Sequence, residues 1–235
     1  DVLELKEEVS ARDLFKKYLK ATVETGMPYA FFRDTVNKAN PNKHAWNIYS
    51  TQLCVEICQN TSPSKFVEET IEDGKIVIKY EPGDSVVCNL ASINVAKVNT
   101  PEDIKKVVPI AMRLLDNVID LNFYPIKEAE KTAKKYRSVW LGFLWLAEYL
   151  AVNKLAYDSK EARDVVDELF EKYAYQTLKS SNELATERGT YGVYQGSEWS
   201  KWILLWKDAN WFRNNSKMST EWLELIENIN KTWVR

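Results

Sequence analysis

The feature that most restricts this chain is a single helical period running from Ser159 to Arg188 and closed by Gly189. Val165, Val166, Leu169, Phe170, Tyr173, Leu178 and Leu184 recur along it on one apolar face. At about 1.5 Å per residue such a helix is ~45 Å long, enough to run the whole height of a large domain. A chain of 235 residues can build one such domain around it.

The flanking segments are read from the same local rules. Ser10 to Thr25 repeats Leu14, Phe15, Tyr18, Leu19 and Val23 at helical spacing, with a cap-like Ser10 and a stop at Gly26. Thr100-Pro101-Glu102-Asp103 opens a second helix, expected to reach about Asp120. Further helices are expected over 126–136 and 219–230. Pro28-Tyr29-Ala30-Phe31-Phe32 reads as a buried strand, 37–47 as a loop, and Leu53, Val55 and Ile57 as a short apolar element. Strands are expected over 76–80 and 85–95. The helix-rich C-terminal half and the strands before it make an α/β chain, read as one partial domain over 1–235.

Acids and bases nearly balance, 34 against 32, which argues against a nucleic-acid binder that works by its overall charge. The longest apolar run, Val139 to Ala147, stops at Glu148 and falls short of the ~20 residues of a membrane span. The start, Asp1-Val2-Leu3-Glu4-Leu5-Lys6, has neither Met nor a signal pattern, and the chain reads as cut from something longer. Asn60, Asn214 and Asn230 head glycosylation-type triplets, taken here as chance matches. Three cysteines are too few and too odd for a disulfide framework, so a reducing, cytoplasmic setting is expected.

The thiols are scarce and therefore informative. Cys54 and Cys58 are spaced C-x3-C and the one histidine is His44, a poor set for a zinc site. Small buried hydrophobes are the plain alternative for all three cysteines. On an extended segment, however, Gln52, Cys54 and Glu56 would share one face. An amide, a thiol and a carboxylate converging on one small molecule form a constellation that can do chemistry. Asp116 and Asp120, four apart on the expected helix, are read as surface or cap residues rather than a metal pair.

Several motifs follow in order: Thr25-Gly26-Met27-Pro28-Tyr29, Asn40-Pro41-Asn42-Lys43-His44, Gln52-Leu53-Cys54-Val55-Glu56-Ile57 and Val87-Cys88-Asn89-Leu90-Ala91-Ser92-Ile93-Asn94. Leu115 to Asp120, Tyr124-Pro125-Ile126, Arg137-Ser138-Val139, Ser180 to Ala185 and Gly196 to Lys201 continue the series. Together they resemble the catalytic large subunit of ribonucleotide reductase, of the class I or the related cobalamin-dependent type. The resemblance implies part of a ten-stranded α/β barrel with a central finger loop. It implies Cys54 at the tip of that loop, as a transient thiyl radical that removes the 3′ hydrogen of a ribonucleotide. Glu56 would take the 3′-hydroxyl proton, Gln52 would stand where the family usually has Asn, and Cys88 would be half of a redox dithiol. Cys58 acquires no role.

The implied partners are the ribonucleotide, the remainder of the large subunit, a second copy of the full chain, and thioredoxin or glutaredoxin as reductant. The radical would come from a metal-bearing small subunit or from adenosylcobalamin, with no cofactor bound by this segment. The upstream partner cysteine, effector region, phosphate-binding loop and tail cysteines are expected elsewhere, so the segment alone should not turn over. The resemblance also leads one to expect Gly where this sequence has Trp46, Trp140, Trp145, Trp202, Trp206 and Trp233. A codon that the organism reads as Gly but that was rendered as Trp would explain this, as would a repacked variant with genuine Trp. The competing functional readings are a stacking surface for nucleic acid, weakened by the lack of a basic stripe, and a helical interaction module built on 159–188. A module would leave the apolar face of that helix exposed, whereas scaffold would bury it.

Overall fold

The computed structural model describes residues 8–52 and 54–235; the run Asp1 to Lys6 and Leu53 of the short apolar element lie outside the described residues. Among the described residues eight α-helices and four strands follow in the order α1 (Ala11–Thr25), α2 (Arg33–Ala39), β1 (Lys65–Glu72), β2 (Lys75–Glu81), β3 (Leu90–Asn94), α3 (Pro101–Leu121), α4 (Lys127–Tyr136), β4 (Trp140–Leu144), α5 (Leu146–Val152), α6 (Lys160–Arg188), α7 (Ala209–Asn215) and α8 (Ser219–Thr232).

The long helices begin and end where their capping residues dictate. The Thr100 hydroxyl accepts the Asp103 N–H at 3.2 Å and Pro101 fills the first turn of α3, where its missing N–H is no loss. For α6 the Ser159 hydroxyl accepts the Ala162 N–H at 3.0 Å, and Gly189, at φ 83°, takes the chain out of the helix. This helix is the spine of the molecule. Leu169, Tyr173 and Leu184 pack with Ile93, Val95, Ile104, Val108 and Met112 from β3, its outgoing turn and α3. Leu178 joins a second core with Phe212, Trp222, Leu225, Ile226 and Ile229 from α7 and α8. Burying each large aliphatic or aromatic side chain contributes roughly 1.5–3 kcal/mol. Val165 near the N-terminal end stays exposed, but the rest of the apolar face is largely covered, as scaffold requires and as an interaction module would not be.

The β-structure departs from expectation in instructive ways. β1 and β2 form an antiparallel hairpin that projects with most of both strands exposed. β3 pairs in parallel with β4, Leu90 opposite Trp140 through Asn94 opposite Leu144. Parallel neighbours need a crossover, and α3 and α4 supply it. Among the described residues the strands form these two sheets, and neither closes into a barrel. The expected strand at Pro28–Phe32 does not form: Tyr29 and Phe32 are exposed, and Phe32 instead precedes α2. The expected loop at 37–47 is helical as far as Ala39. The strand expected over 85–95 is shortened to Leu90–Asn94. α1 forms as expected but buries none of its residues. Among the described residues no helix is long and apolar enough to cross a membrane.

Candidate active site around Cys54 and Cys88

The segment carrying Cys54 is a tight turn, not the extended strand that would have aligned residues 52, 54 and 56 by simple alternation. The Val55 N–H donates to the Gln52 carbonyl at 3.2 Å, and Val55 sits at φ 65°. A β-branched residue in the left-handed region is strained and persists only where its surroundings hold it. Part of that hold comes from Gln52. Its side-chain Oε1 accepts the Ile57 N–H at 2.9 Å, stapling the far side of the turn. The amide is therefore half spent inside the loop, a correction to the view that it simply points at a ligand.

What the staple leaves over is chemically telling. Gln52 Nε2 and Glu56 Oε2 are both buried without a hydrogen-bond partner among the described residues. A stranded donor and a stranded acceptor on one turn each carry a desolvation cost of about 1–3 kcal/mol until a ligand or water satisfies them. Cys54, on the same turn, is exposed.

Cys88 enters from the segment just before β3 and is exposed as a residue. Partial desolvation of its sulfur, followed by the negative charges of Glu56 and Cys54, raises its thiol above the ordinary range. The Glu56 and Cys54 charges therefore reach the Cys88 sulfur. One consequence is measurable. The alkylation rate of Cys88 should rise with pH through a midpoint above the ordinary value of 9, and Glu56→Gln should move that midpoint down by removing one opposing charge. An unchanged midpoint in the variant would separate the two side chains.

Glu56 also lines a cavity of about 260 Å³, together with Ile57, Cys58, Gln59, Asn89, Ser138, Val139 and Trp140. Cys54, Gln52 and Cys88 are not on its wall. Cys58 lies half-buried there, its thiol raised by burial, and its sulfur is 3.9 Å from the Val55 carbonyl. Asn89 and Ser138 are polar wall residues that lie within two of the ordered motifs but had been given no role there; membership of those motifs was the signal available. Asn89 is held by its side-chain N–H on the Leu115 carbonyl at 2.9 Å, and its own carbonyl accepts the Trp140 N–H.

Two polar networks fix these walls. Asn60, 2% exposed, accepts from Asn40 at 2.7 Å and donates to the Asn42 carbonyl at 3.0 Å and to Tyr136 at 3.4 Å. Tyr136 donates to Asp84 at 2.9 Å, which also pairs with Lys135. This buried chain ties the segment on either side of the Cys54 turn to α4. The Asn40–His44 motif also meets the Gly196–Lys201 motif: the Glu198 N–H donates to the Pro41 carbonyl at 2.9 Å, and a Cβ at Gly196 would come within 2.9 Å of His44.

The second network corrects the reading of Asp116 as a surface or cap residue. Asp116 is 4% exposed and accepts from Arg137 at 2.6 and 3.0 Å, from Arg188 at 2.9 Å and from Arg235 at 2.8 and 2.9 Å. Asp120 completes the fork on Arg137 at 2.9 Å and is held below the ordinary carboxylate range by that hydrogen bond. Burial works against the charge on Arg137, but its hydrogen bonds to Asp120 and Asp116 outweigh it and keep its pKa above the usual value. The cluster anchors Arg137, and with it the adjoining Ser138 and Val139 of the cavity wall. Among the described residues no group of three or more His, Cys, Asp or Glu side chains is disposed to hold a metal ion.

A family model described as "Ribonucleotide reductase, barrel domain" matches residues 2–235. Proteins named ribonucleoside-diphosphate reductase subunit alpha are 40% identical in Helicobacter pylori (strain 26695), over 88% of this chain and 31% of the relative, and 39% identical in Synechocystis, over 97% and 27%. The large chain from Encephalitozoon cuniculi is 31% identical over 97% of this chain and 27% of the relative. The chain thus spans about a third, or less, of the length of the relatives it matches. A match along essentially its whole length, together with ordered motifs that meet in space, places this chain in the ribonucleotide reductase barrel-domain family.

Proposed function

We propose that residues 1–235 are the central portion of a reductase catalytic subunit, and that the whole protein converts ribonucleotides to 2′-deoxyribonucleotides. In this reading β3 and β4 are two strands of a ten-stranded barrel completed by the rest of the subunit, and the Cys54 turn is its central finger. The observation that carries the reading is the pair of stranded groups, Gln52 Nε2 and Glu56 Oε2, on the turn that presents Cys54. A ribose diol offers both an acceptor for the amide and a hydroxyl proton for the carboxylate.

The chemistry then follows from the residue types. As a thiyl radical, Cys54 takes the 3′ hydrogen atom and later returns one. Glu56 accepts the 3′-hydroxyl proton, and the 2′-hydroxyl leaves as water. Cys88 and a partner cysteine outside this chain give up two electrons and two protons and end as a disulfide, so one ribonucleotide and one dithiol become one deoxyribonucleotide, water and one disulfide. Thioredoxin or glutaredoxin would reopen that disulfide. The radical would arrive from a metal-bearing small subunit or from adenosylcobalamin. The working protein would be a cytoplasmic homodimer of the full chain.

The test is a single turnover of the full-length subunit, with its radical source and without external reductant. After product forms, Cys88 should resist alkylation until the sample is reduced, as mapped by peptide mass spectrometry. If product accumulates while Cys88 remains fully alkylatable, Cys88 is not the reductant.

A further inference from the structure

Nine non-glycine residues among those described have a left-handed backbone, and four of them are tryptophan: Trp145 at φ 66°, Trp202 at 65°, Trp206 at 62° and Trp233 at 66°. Such φ values are uncommon outside glycine, and where they occur Asn and Asp lead. Aromatic bulk does not account for it, since none of the twelve Tyr or eight Phe contributes a single case. From this we infer that positions 145, 202, 206 and 233 are glycine in the polypeptide that the cell makes, the tryptophan being a reading of codons that its ribosomes decode as glycine.

Each position is one where chain geometry asks for a residue without Cβ. Trp202 ends the short 3-10 turn Trp199–Lys201 in the left-handed conformation, its N–H on the Trp199 carbonyl at 3.1 Å. That is the site where helical turns favour glycine. Leu204 and Lys207 exchange both backbone hydrogen bonds, at 2.9 and 2.8 Å, around the two-residue loop Leu205-Trp206. Both loop residues have positive φ, the pattern of a type I′ turn, whose second position is dominated by glycine. Trp233 follows α8 at φ 66° and ψ −164°, a region that is essentially glycine's alone. Trp145 makes the junction from β4 to α5 at φ 66° and ψ 28°.

The side chains do not repay the strain. All four are exposed, from 42% at Trp233 to 67% at Trp206, whereas Trp222, an ordinary core tryptophan, is 1% exposed. Trp206 donates its indole N–H to the Ala39 carbonyl at 2.7 Å, and Trp233 lies 6.3 Å from the Tyr194 ring. Those are contacts that a long side chain finds wherever it lies on a surface. Composition points the same way: the chain has seven glycines and nine tryptophans, where about sixteen glycines would be ordinary for its length. Trp46 and Trp140, the other two positions where glycine was expected, have no left-handed backbone, and the inference does not extend to them.

Two measurements decide it. In peptide mass spectrometry of the native protein from its own organism, the peptides spanning 145, 202, 206 and 233 should carry glycine, with the Trp222 peptide as an internal standard. Tryptophan at any of the four overturns the inference. Independently, the full-length subunit made with W145G, W202G, W206G and W233G together should melt higher than the version with tryptophan, by on the order of 10 °C. No rise would overturn the claim that these backbones require glycine.

Discussion

Cys54→Ser in the full-length subunit is expected to remove deoxyribonucleotide formation altogether while ribonucleotide binding is retained. Serine keeps the size and polarity of cysteine, but its O–H bond is far harder to break homolytically than S–H, so no radical can be carried there. Glu56→Gln acts differently. It keeps the shape of the carboxylate and loses a proton acceptor, for which a fall of about 10²–10⁴-fold in turnover is expected. The contrast between complete loss at Cys54 and graded loss at Glu56 is the signature of a radical site beside a general base. Measured by product formation under matched substrate saturation, comparable residual turnover in the two variants would sink the assignment of Cys54 as the radical site. Loss of binding in Cys54→Ser would instead point to a structural role for the turn, which the strain at Val55 makes a real alternative.

Asp116→Ala is expected to be the most damaging substitution for stability. The carboxylate is shared by three guanidinium groups, and the Arg137 side chain is only 8% exposed and that of Arg235 11%. Removing it leaves buried like charges facing one another, which costs about 3–5 kcal/mol when a buried pair loses one partner. Asp120 compensates only in part: it still holds Arg137 at 2.9 Å, but its side chain is 47% exposed and its contact with Arg235 is 3.9 Å. Denaturant unfolding of the full-length subunit measures the loss. The double variant Asp116→Leu with Arg137→Met should recover part of it, since a matched apolar replacement removes the stranded charge as well. A loss under about 1 kcal/mol in Asp116→Ala would mean that water already screens the cluster.

Helix boundaries were legible from sequence because they are set within a few residues. Thr100, Ser159 and Gly189 act on donors and acceptors of their own first or last turn, and α3 and α6 begin and end accordingly. The strands were legible only in part, for the opposite reason. The alternation over 76–80 forms within Lys75–Glu81 and the run 85–95 forms over Leu90–Asn94, but their partner strands were not read. Lys65–Glu72 carries no alternating pattern and becomes a strand by pairing with Lys75–Glu81, while Trp140–Leu144 reads simply as an apolar run until Leu90–Asn94 lies beside it. Pro28–Phe32 has strand composition but, among the described residues, no strand to pair with. A strand needs its partner's backbone, and the partner is fixed by the whole fold.

The candidate site divides along the same line. The order and identity of Gln52, Cys54, Glu56 and Cys88 were in the sequence, since residue type determines which groups can hold a radical, accept a proton or form a disulfide. Their disposition was not. Alternation on an extended segment was the wrong geometry; a turn with Val55 left-handed and Gln52 stapled to Ile57 takes its place. Asp116 read as an ordinary helical acid because nothing local marks it. Arg137, Arg188 and Arg235 are 21, 72 and 119 residues away along the chain and converge on it only once α3, α4 and α6 have packed. Residue order alone carried the family, the five longer helices and the chemical inventory of the site, because capping and reactivity are properties of residues and their near neighbours; the short helices Arg33–Ala39, Leu146–Val152 and Ala209–Asn215 went unread. Tertiary structure alone decided which strands pair and which charges are buried, because each of those depends on atoms brought together from distant parts of the chain.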